Sequence, residues 1–192
     1  MDTYHVVLYI HLLALFVGIG AGAVLIVCLF QLRSARTVAD AVPWGRVAGK
    51  AGRMFPIAIL GLFGTGAYMT TDVWTWSTGW IDVAIAGLVL LALQGPLLGE
   101  RTAKKLEQAL HANGPGPLGR NARRMTRHPA LWISEFSAFG VVFGIAWNMT
   151  QKPGTASAIA AVVGGYAVGA AVAMVFTRAP ADELAPAAES AT

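Results

Sequence analysis

Long apolar stretches alternate with polar segments along the chain, and the stretches have the length of a bilayer crossing. The first, residues 6–30, reads VVLYIHLLALFVGIGAGAVLIVCLF and contains one ionisable side chain, His11. At about 1.5 Å per residue it exceeds the roughly 30 Å thickness of a hydrocarbon core. Further apolar stretches cover residues 55–70, 81–98, 130–149 and 155–177. The pattern predicts an all-α integral membrane bundle of five transmembrane helices, forming a single domain over residues 1–178.

The polar segments between the spans are also predicted to contain helical structure. The helix of the second span is predicted to extend backward through residues 46–54. Residues 99–113, GERTAKKLEQALHAN, place Glu100 four residues before Lys104 and are predicted to form a short interfacial helix. The GPGPLG stretch that follows ends this helix. Residues 179–192 are rich in Ala, Pro and Glu and are predicted to be a disordered tail.

Basic residues predict the orientation, because cytoplasmic loops of membrane proteins are enriched in Lys and Arg. Twelve of the 14 basic residues lie in the loops between spans one and two and between spans three and four. Lys152 is the only one on the other side. We therefore expect an external N-terminus and a cytoplasmic C-terminus in a bacterial inner membrane. Four tryptophans then fall at the outer interface, which suits amphipathic indole rings: Trp74, Trp76, Trp80 and Trp147.

Composition narrows the class of protein. Apolar residues make up 56% of the chain and charged residues 12%, against roughly 25% charged in an average soluble domain. The single Cys28 excludes a disulfide framework and a cysteine-cluster metal site. Topology and contact with anionic membrane lipids explain the basic loops, so no nucleic-acid partner is predicted. No nucleotide-binding, HExxH or GxSxG motif is present, and whether the protein is an enzyme stays open.

Glycines recur four residues apart within three spans. The pairs are Gly18 with Gly22, Gly140 with Gly144, and Gly165 with Gly169. Such pairs let helix backbones approach closely in lipid, where apolar contact alone gives little preference for association. We expect close packing within the bundle, with a homodimer through these small-residue faces as the alternative.

His11 is the strongest polar signal near the outer end of the bundle, since an ionisable side chain within a span is costly. One interpretation is a neutral imidazole hydrogen-bonded to a backbone carbonyl, a Thr or a Tyr on a neighbouring helix. The other is an axial ligand of haem, or a copper ligand, with the thioethers of Met69 and Met149 at similar depth. His5 lies six residues before His11 and so points in another direction, which makes joint chelation of one metal ion a poor geometry.

A second polar set gathers toward the other end: Glu135 and His128 at the start of span four, with Gln94 in span three. Glu135 lies about 10 Å inside its helix and must be paired, hydrated or protonated. An ion pair with Arg53 or Arg101 is the favoured arrangement, and a proton-carrying carboxyl is the alternative. Pro96 removes a backbone donor close to Gln94.

The opening YIHLLALFVGIGAG resembles the aromatic, His-Leu and Gly-rich start of several small bacterial membrane families. These are the copper-resistance D-type proteins, the HemJ-type protoporphyrinogen oxidases and a related uncharacterised family, which the NMTQKPG stretch also resembles. The resemblance implies a helical bundle in which His11 faces the interior and ligates haem b or copper. Since spans two, three and five contain no His, a second imidazole would have to come from His5, His128 or His11 of another subunit.

Two functions follow as hypotheses. The first is a haem-binding membrane protein with a redox or electron-transfer role. The second is a non-enzymatic membrane protein, either a copper- or proton-linked permeability element or a scaffold for another membrane complex.

Overall fold

The computed structural model describes residues 3–177, and the predicted tail at 179–192 lies outside this range. Apart from one isolated β-bridge, the regular structure of the described range is helical. The helices are α1 (Thr3–Ser34), α2 (Val38–Gly52), α3 (Met54–Val73), α4 (Gly79–Gln94), a π-helical segment (Gly95–Glu100), α5 (Arg101–Asn113), α6 (Arg120–Thr126), α7 (Pro129–Gln151) and α8 (Thr155–Thr177).

Within residues 3–177, five helical stretches are long and apolar enough to cross a membrane, which confirms the predicted number. They cover Thr3–Ser34, Val38–Val73, Gly79–Asn113, Arg120–Gln151 and Thr155–Thr177. The first four contain 32 to 36 residues and so measure about 48 to 54 Å, well beyond the roughly 30 Å of hydrocarbon. The second helix extends further back than predicted, to Val38. The predicted helix after Gly99 is present, but it continues α4 through the π-helical segment without an intervening loop.

The extra length lies at one end of the bundle, which we call the basic end and define by residues 33–53 and 101–127. Here a core of aliphatic side chains and Trp132 joins α1, α2, α5, α6, α7 and α8. The two loops at this end also pair: Val38 N–H donates to the Gly116 carbonyl (3.0 Å), and Leu118 N–H donates to the Arg36 carbonyl (2.8 Å). These two hydrogen bonds join the loop between α1 and α2 to the loop between α5 and α6.

Local sequence explains how this end is built. Thr37 and Asp40 form a capping box that starts α2: Asp40 N–H donates to Thr37 Oγ1 (3.2 Å), and Thr37 N–H donates to Asp40 Oδ2 (3.0 Å). Gly114 ends α5 with a φ of 69°, a conformation that costs glycine little. Pro129 occupies the first turn of α7, where its missing amide proton removes no helical hydrogen bond.

Tryptophans mark the opposite end. Trp74 and Trp80 pack edge to face with ring centroids 5.5 Å apart, and Lys152 Nζ lies 4.7 Å from the Trp74 ring centroid. Lys152 itself ends α7 in the left-handed conformation (φ 48°). This contact ties the α3–α4 loop to the α7–α8 connection.

The glycine pairs of α7 and α8 pack against each other within the chain. A Cβ added to Gly144 would lie 2.7 Å from the Ala161 carbonyl oxygen, and one added to Gly165 would overlap the Gly140 carbonyl. On α1, Gly18 faces Ala58 of α3 while Gly22 faces the Phe139 ring of α7. The small residues thus serve close helix packing inside the bundle, as expected.

Candidate functional site

His11 is buried in the seam between α1 and α3, with 4% of its surface exposed. Small residues allow these two helices to approach: a Cβ on Gly61 would lie 3.0 Å from Ala14 Cβ, and one on Gly66 would lie 3.6 Å from His11 Cε1. An imidazole therefore fits between two otherwise apolar helices because the opposing helix presents little side-chain volume.

Thr65 of α3 is the side-chain partner of His11. The Thr65 Oγ1 atom lies 2.8 Å from His11 Nδ1 and donates its own proton to the Gly61 carbonyl at 2.6 Å. Since the hydroxyl proton is used in that bond, the oxygen accepts from the ring, and Nδ1 carries the ring proton. The lone pair of a neutral imidazole is then on Nε2. A Thr on a neighbouring helix was one of the partners anticipated for His11.

The other predicted ligands lie on α3, α7 and the first turn of α1, and the structure gives none of them a contact with His11. Met69 follows Thr65 by one helical turn on α3 and is half-buried, and Met149 is half-buried near the end of α7. His5 is exposed, with its ring 5.8 Å from that of Tyr4. Within residues 3–177 no group of three or more His, Cys, Asp or Glu side chains could hold a metal ion.

Gln94 is buried between α4 and α7 and is held by two serines. Its Nε2 donates to the Ser134 carbonyl (2.8 Å) and to Ser137 Oγ (2.9 Å), and the Ser137 hydroxyl donates in turn to the Ile133 carbonyl. Both partners of the amide nitrogen are acceptors, which fixes the orientation of the amide. The Gln94 Oε1 atom is buried and has no hydrogen-bond partner in the described part of the chain.

Glu135 follows Ser134 and is half-buried. Its carboxylate forms neither an ion pair nor a hydrogen bond with the residues that the structure describes, so the expected pairing with Arg53 or Arg101 is not formed. One turn further along α7, Phe139 packs on Gly22 of α1, whereas Ser134 approaches Gly99 beside the π-helical segment. Glu135 thus projects between the face of α7 that contacts α1 and the face that contacts α4.

His128 has a structural place as the N-cap of α7. Its Nδ1 accepts a hydrogen bond from the Ala130 amide at 3.3 Å.

The backbone at Gly95–Glu100 is π-helical around Pro96, which has no amide proton to donate to the carbonyl of Ala92. π-Helical turns within α-helices are rare, and those that occur are frequently found at functional sites.

Sequence reasoning missed Thr65, Ser134 and Ser137 as partners of the predicted polar residues. Small hydroxyl residues in a span satisfy their own hydroxyl proton on a preceding carbonyl, as Thr65 and Ser137 do, and so resemble apolar residues in a hydropathy profile. Asn148 is fully buried, and its side-chain amide donates to the Ala158 carbonyl of α8 at 3.1 Å.

The chain was compared with family models, curated proteins and solved structures, and none of them matches it.

Proposed function

We propose that this multi-pass membrane protein binds haem b through His11 and has a redox or electron-transfer role. The observation that supports the proposal is the hydrogen bond between His11 Nδ1 and Thr65 Oγ1. Histidines that ligate metals in proteins commonly donate their second ring N–H to a neighbouring acceptor, which sets the tautomer and the ring orientation. His11 has this arrangement, and its Nε2 lone pair would be the group that holds haem iron.

The donor set favours haem over a zinc ion. A zinc ion is usually held by three or four His, Cys, Asp or Glu side chains, and residues 3–177 contain no group of three or more of these side chains that could hold a metal ion. Haem iron takes four nitrogens from the porphyrin and needs only one or two axial ligands from the protein. His11 would supply one, and the thioether of Met69 or Met149 is the candidate for the other.

Bound haem would supply one-electron redox chemistry, while the protein residues position and insulate it. By accepting a hydrogen bond from Nδ1, Thr65 would fix the orientation of the imidazole and make Nε2 a stronger electron-pair donor to the iron. The surrounding apolar helices exclude water, which influences the midpoint potential.

An absorption spectrum of the detergent-purified protein, produced with adequate haem supply, tests the proposal. We expect a Soret band that is lost in His11→Ala and kept in His5→Ala, the matched control at an exposed histidine of the same helix. Met69→Leu and Met149→Leu identify the second ligand by the change in the spectrum. Colourless wild-type protein would overturn haem binding, and copper analysis of the same sample would then decide whether His11 binds that metal.

A proton-linked role is the second candidate, and the state of Glu135 favours it. A carboxyl group inside a span without a cationic partner is most stable when protonated. In a proton relay, Glu135 would release this proton toward the basic end and take up another. This role predicts pH-dependent proton flux in liposomes that is lost in Glu135→Gln. A scaffold for another membrane complex would show neither a Soret band nor proton flux.

The basic residues support an orientation with the N-terminus outside and the C-terminus in the cytoplasm of a bacterial inner membrane. In this orientation the basic end and its helical core face the cytoplasm, beside the anionic headgroups of the inner leaflet. The exposed aromatic rings of Trp76 and Trp147 then lie at the outer headgroup level.

A further inference from the structure

An apolar groove runs along α7 and α8 on the outside of the bundle. It has a volume of about 590 Å³, and its lining includes Phe136, Phe143 and Trp147 of α7 and Val168 and Val172 of α8. No charged side chain of the described residues lines it. Phe143, Trp147 and Val168 are each more than half exposed, so the groove is open to the hydrocarbon that surrounds membrane-spanning helices.

The groove has the dimensions of a hydrocarbon chain. Phe136 and Trp147 are eleven residues apart on α7, which corresponds to about 17 Å. One leaflet contributes about half of the roughly 30 Å hydrocarbon core, so an acyl chain covers a similar distance. An α-helix about 10 Å wide would occupy about 1,300 Å³ over the same length, which is more than twice the volume of the groove. A single extended chain therefore suits the groove better than a helix of a second copy does.

At the basic end the groove leads to aromatic rings and then to a cation. The ring of Phe136, which lines the groove, lies 6.2 Å from the Trp132 ring and 5.4 Å from the Phe176 ring. Phe176 follows Val172 by one turn of α8. The Arg33 guanidinium of α1 donates to the Phe176 carbonyl and lies 5.7 Å from the centroid of the Trp132 ring. Arg33 thus lies about one helical turn beyond the end of the groove.

Arg33 has donors available for a ligand. A guanidinium carries five N–H groups, and the Phe176 carbonyl is the only acceptor that the described residues offer to them. No carboxylate of the described range forms an ion pair with Arg33, which is half-buried and held in place by its contact with Trp132. The planar fork of a guanidinium matches the oxygens of a phosphate group, so a phosphate is the chemistry that fits this position.

We propose that the α7–α8 groove holds one acyl chain of an anionic phospholipid whose headgroup is bound by Arg33. The apolar lining accepts any hydrocarbon chain, whereas Arg33 selects a headgroup with net negative charge. A zwitterionic headgroup has its own cation beside the phosphate and gains less from the guanidinium. This inference is independent of haem binding and of which side of the membrane the basic end faces.

Native mass spectrometry of the complete chain, purified in detergent and stripped of lipid, tests the proposal. The probes are phosphatidylglycerol and phosphatidylcholine with identical acyl chains, titrated separately, and the affinity of the first bound lipid is measured. We expect phosphatidylglycerol to bind at least about fivefold more tightly, the difference that one arginine makes beside an anionic headgroup. Equal affinities for the two lipids would overturn the proposal.

A pair of arginine variants tests the role of Arg33. Arg33→Gln should bind the two lipids with equal affinity. Arg36→Gln removes an exposed arginine three residues further along at the same end of the bundle and should keep the preference. If both variants lose it equally, the overall charge of the basic end attracts the lipid and the proposal is wrong.

A pair of tryptophan variants tests the groove and does not depend on whether Arg33→Gln folds. Val168→Trp places an indole ring in the groove and should weaken the binding of both lipids. Val163, which is 60% exposed on α8 against 65% for Val168, does not line the groove, so Val163→Trp should bind like the unsubstituted chain. Equal lipid affinities in the two variants would place the acyl chain elsewhere. A dimer that is lost only in Val168→Trp would show a second copy in the groove, and either result contradicts the proposal.

Discussion

His11 on α1 and Thr65 on α3 are joined by a 2.8 Å contact between Nδ1 and Oγ1, and Thr65 in turn donates to its own helix at Gly61. This hydrogen bond pairs the polar side chain of α1 with the polar side chain of α3, so that neither leaves an unpaired donor in the apolar seam. It also assigns the ring proton to Nδ1, which is the state required for ligation through Nε2.

Thr65 is therefore expected to control haem affinity without touching the haem. Thr65→Val keeps the shape of the side chain and removes the acceptor, and we expect a roughly 10- to 100-fold loss of affinity, as for other residues that orient a ligating histidine. Thr65→Ser keeps the hydroxyl and should bind haem like the unsubstituted protein. Titration of haem into the haem-free protein, followed at the Soret band, measures the affinities. Equal affinity for the Val and Ser variants would show that the hydrogen bond has no part in ligation.

Glu135→Gln is expected to leave stability nearly unchanged, by less than about 1 kcal/mol, because no described cation depends on this carboxylate. Gln94→Leu removes two hydrogen bonds and leaves the Ser134 carbonyl without the amide donor, at a cost of about 1 to 3 kcal/mol. Thermal unfolding in one detergent compares the two variants. A loss of about 3 to 5 kcal/mol in Glu135→Gln would instead indicate a buried ion pair.

The contact between α7 and α8 predicts a sharp difference between adjacent glycines. Gly165→Ala places a methyl group against the Gly140 backbone and should destabilise the protein by about 1 to 3 kcal/mol. Gly164→Ala meets nothing within 4 Å and should be neutral or stabilising by up to about 1 kcal/mol, since alanine favours helix. Melting temperatures in detergent test the pair. Similar melting temperatures for both variants would mean that α7 and α8 do not approach closely.

The orientation of the protein in the membrane can be tested by labelling introduced cysteines, because the only native cysteine, Cys28, is 1% exposed and should not react. Cysteines introduced at Ser77, at the tryptophan end, and at Ala112, at the basic end, are both at exposed positions. We expect a membrane-impermeant thiol reagent applied to intact cells to label position 77 and to label position 112 only after the membrane is opened. The reverse pattern would place the basic end outside.

The amino-acid sequence by itself determined the number of spans and the two chemically different ends of the bundle. In lipid the backbone must satisfy its own hydrogen bonds, so each apolar stretch of sufficient length becomes a helix whatever its neighbours are. The capping box at Thr37 and Asp40, the glycines of α7 and α8, and the isolation of His11 among apolar residues are also local features, readable without a fold.

Tertiary structure alone decided which faces meet. A membrane helix is apolar both where it touches lipid and where it touches another helix, so hydrophobic periodicity does not indicate its packed face. For this reason Thr65 could not be chosen as the partner of His11, nor Ser134 and Ser137 as the partners of Gln94. The same ambiguity made Arg53 and Arg101 reasonable partners for Glu135 by depth alone. Depth follows from position along a helix, whereas the direction in which a side chain projects depends on how the helices pack, and only the packed bundle determines that.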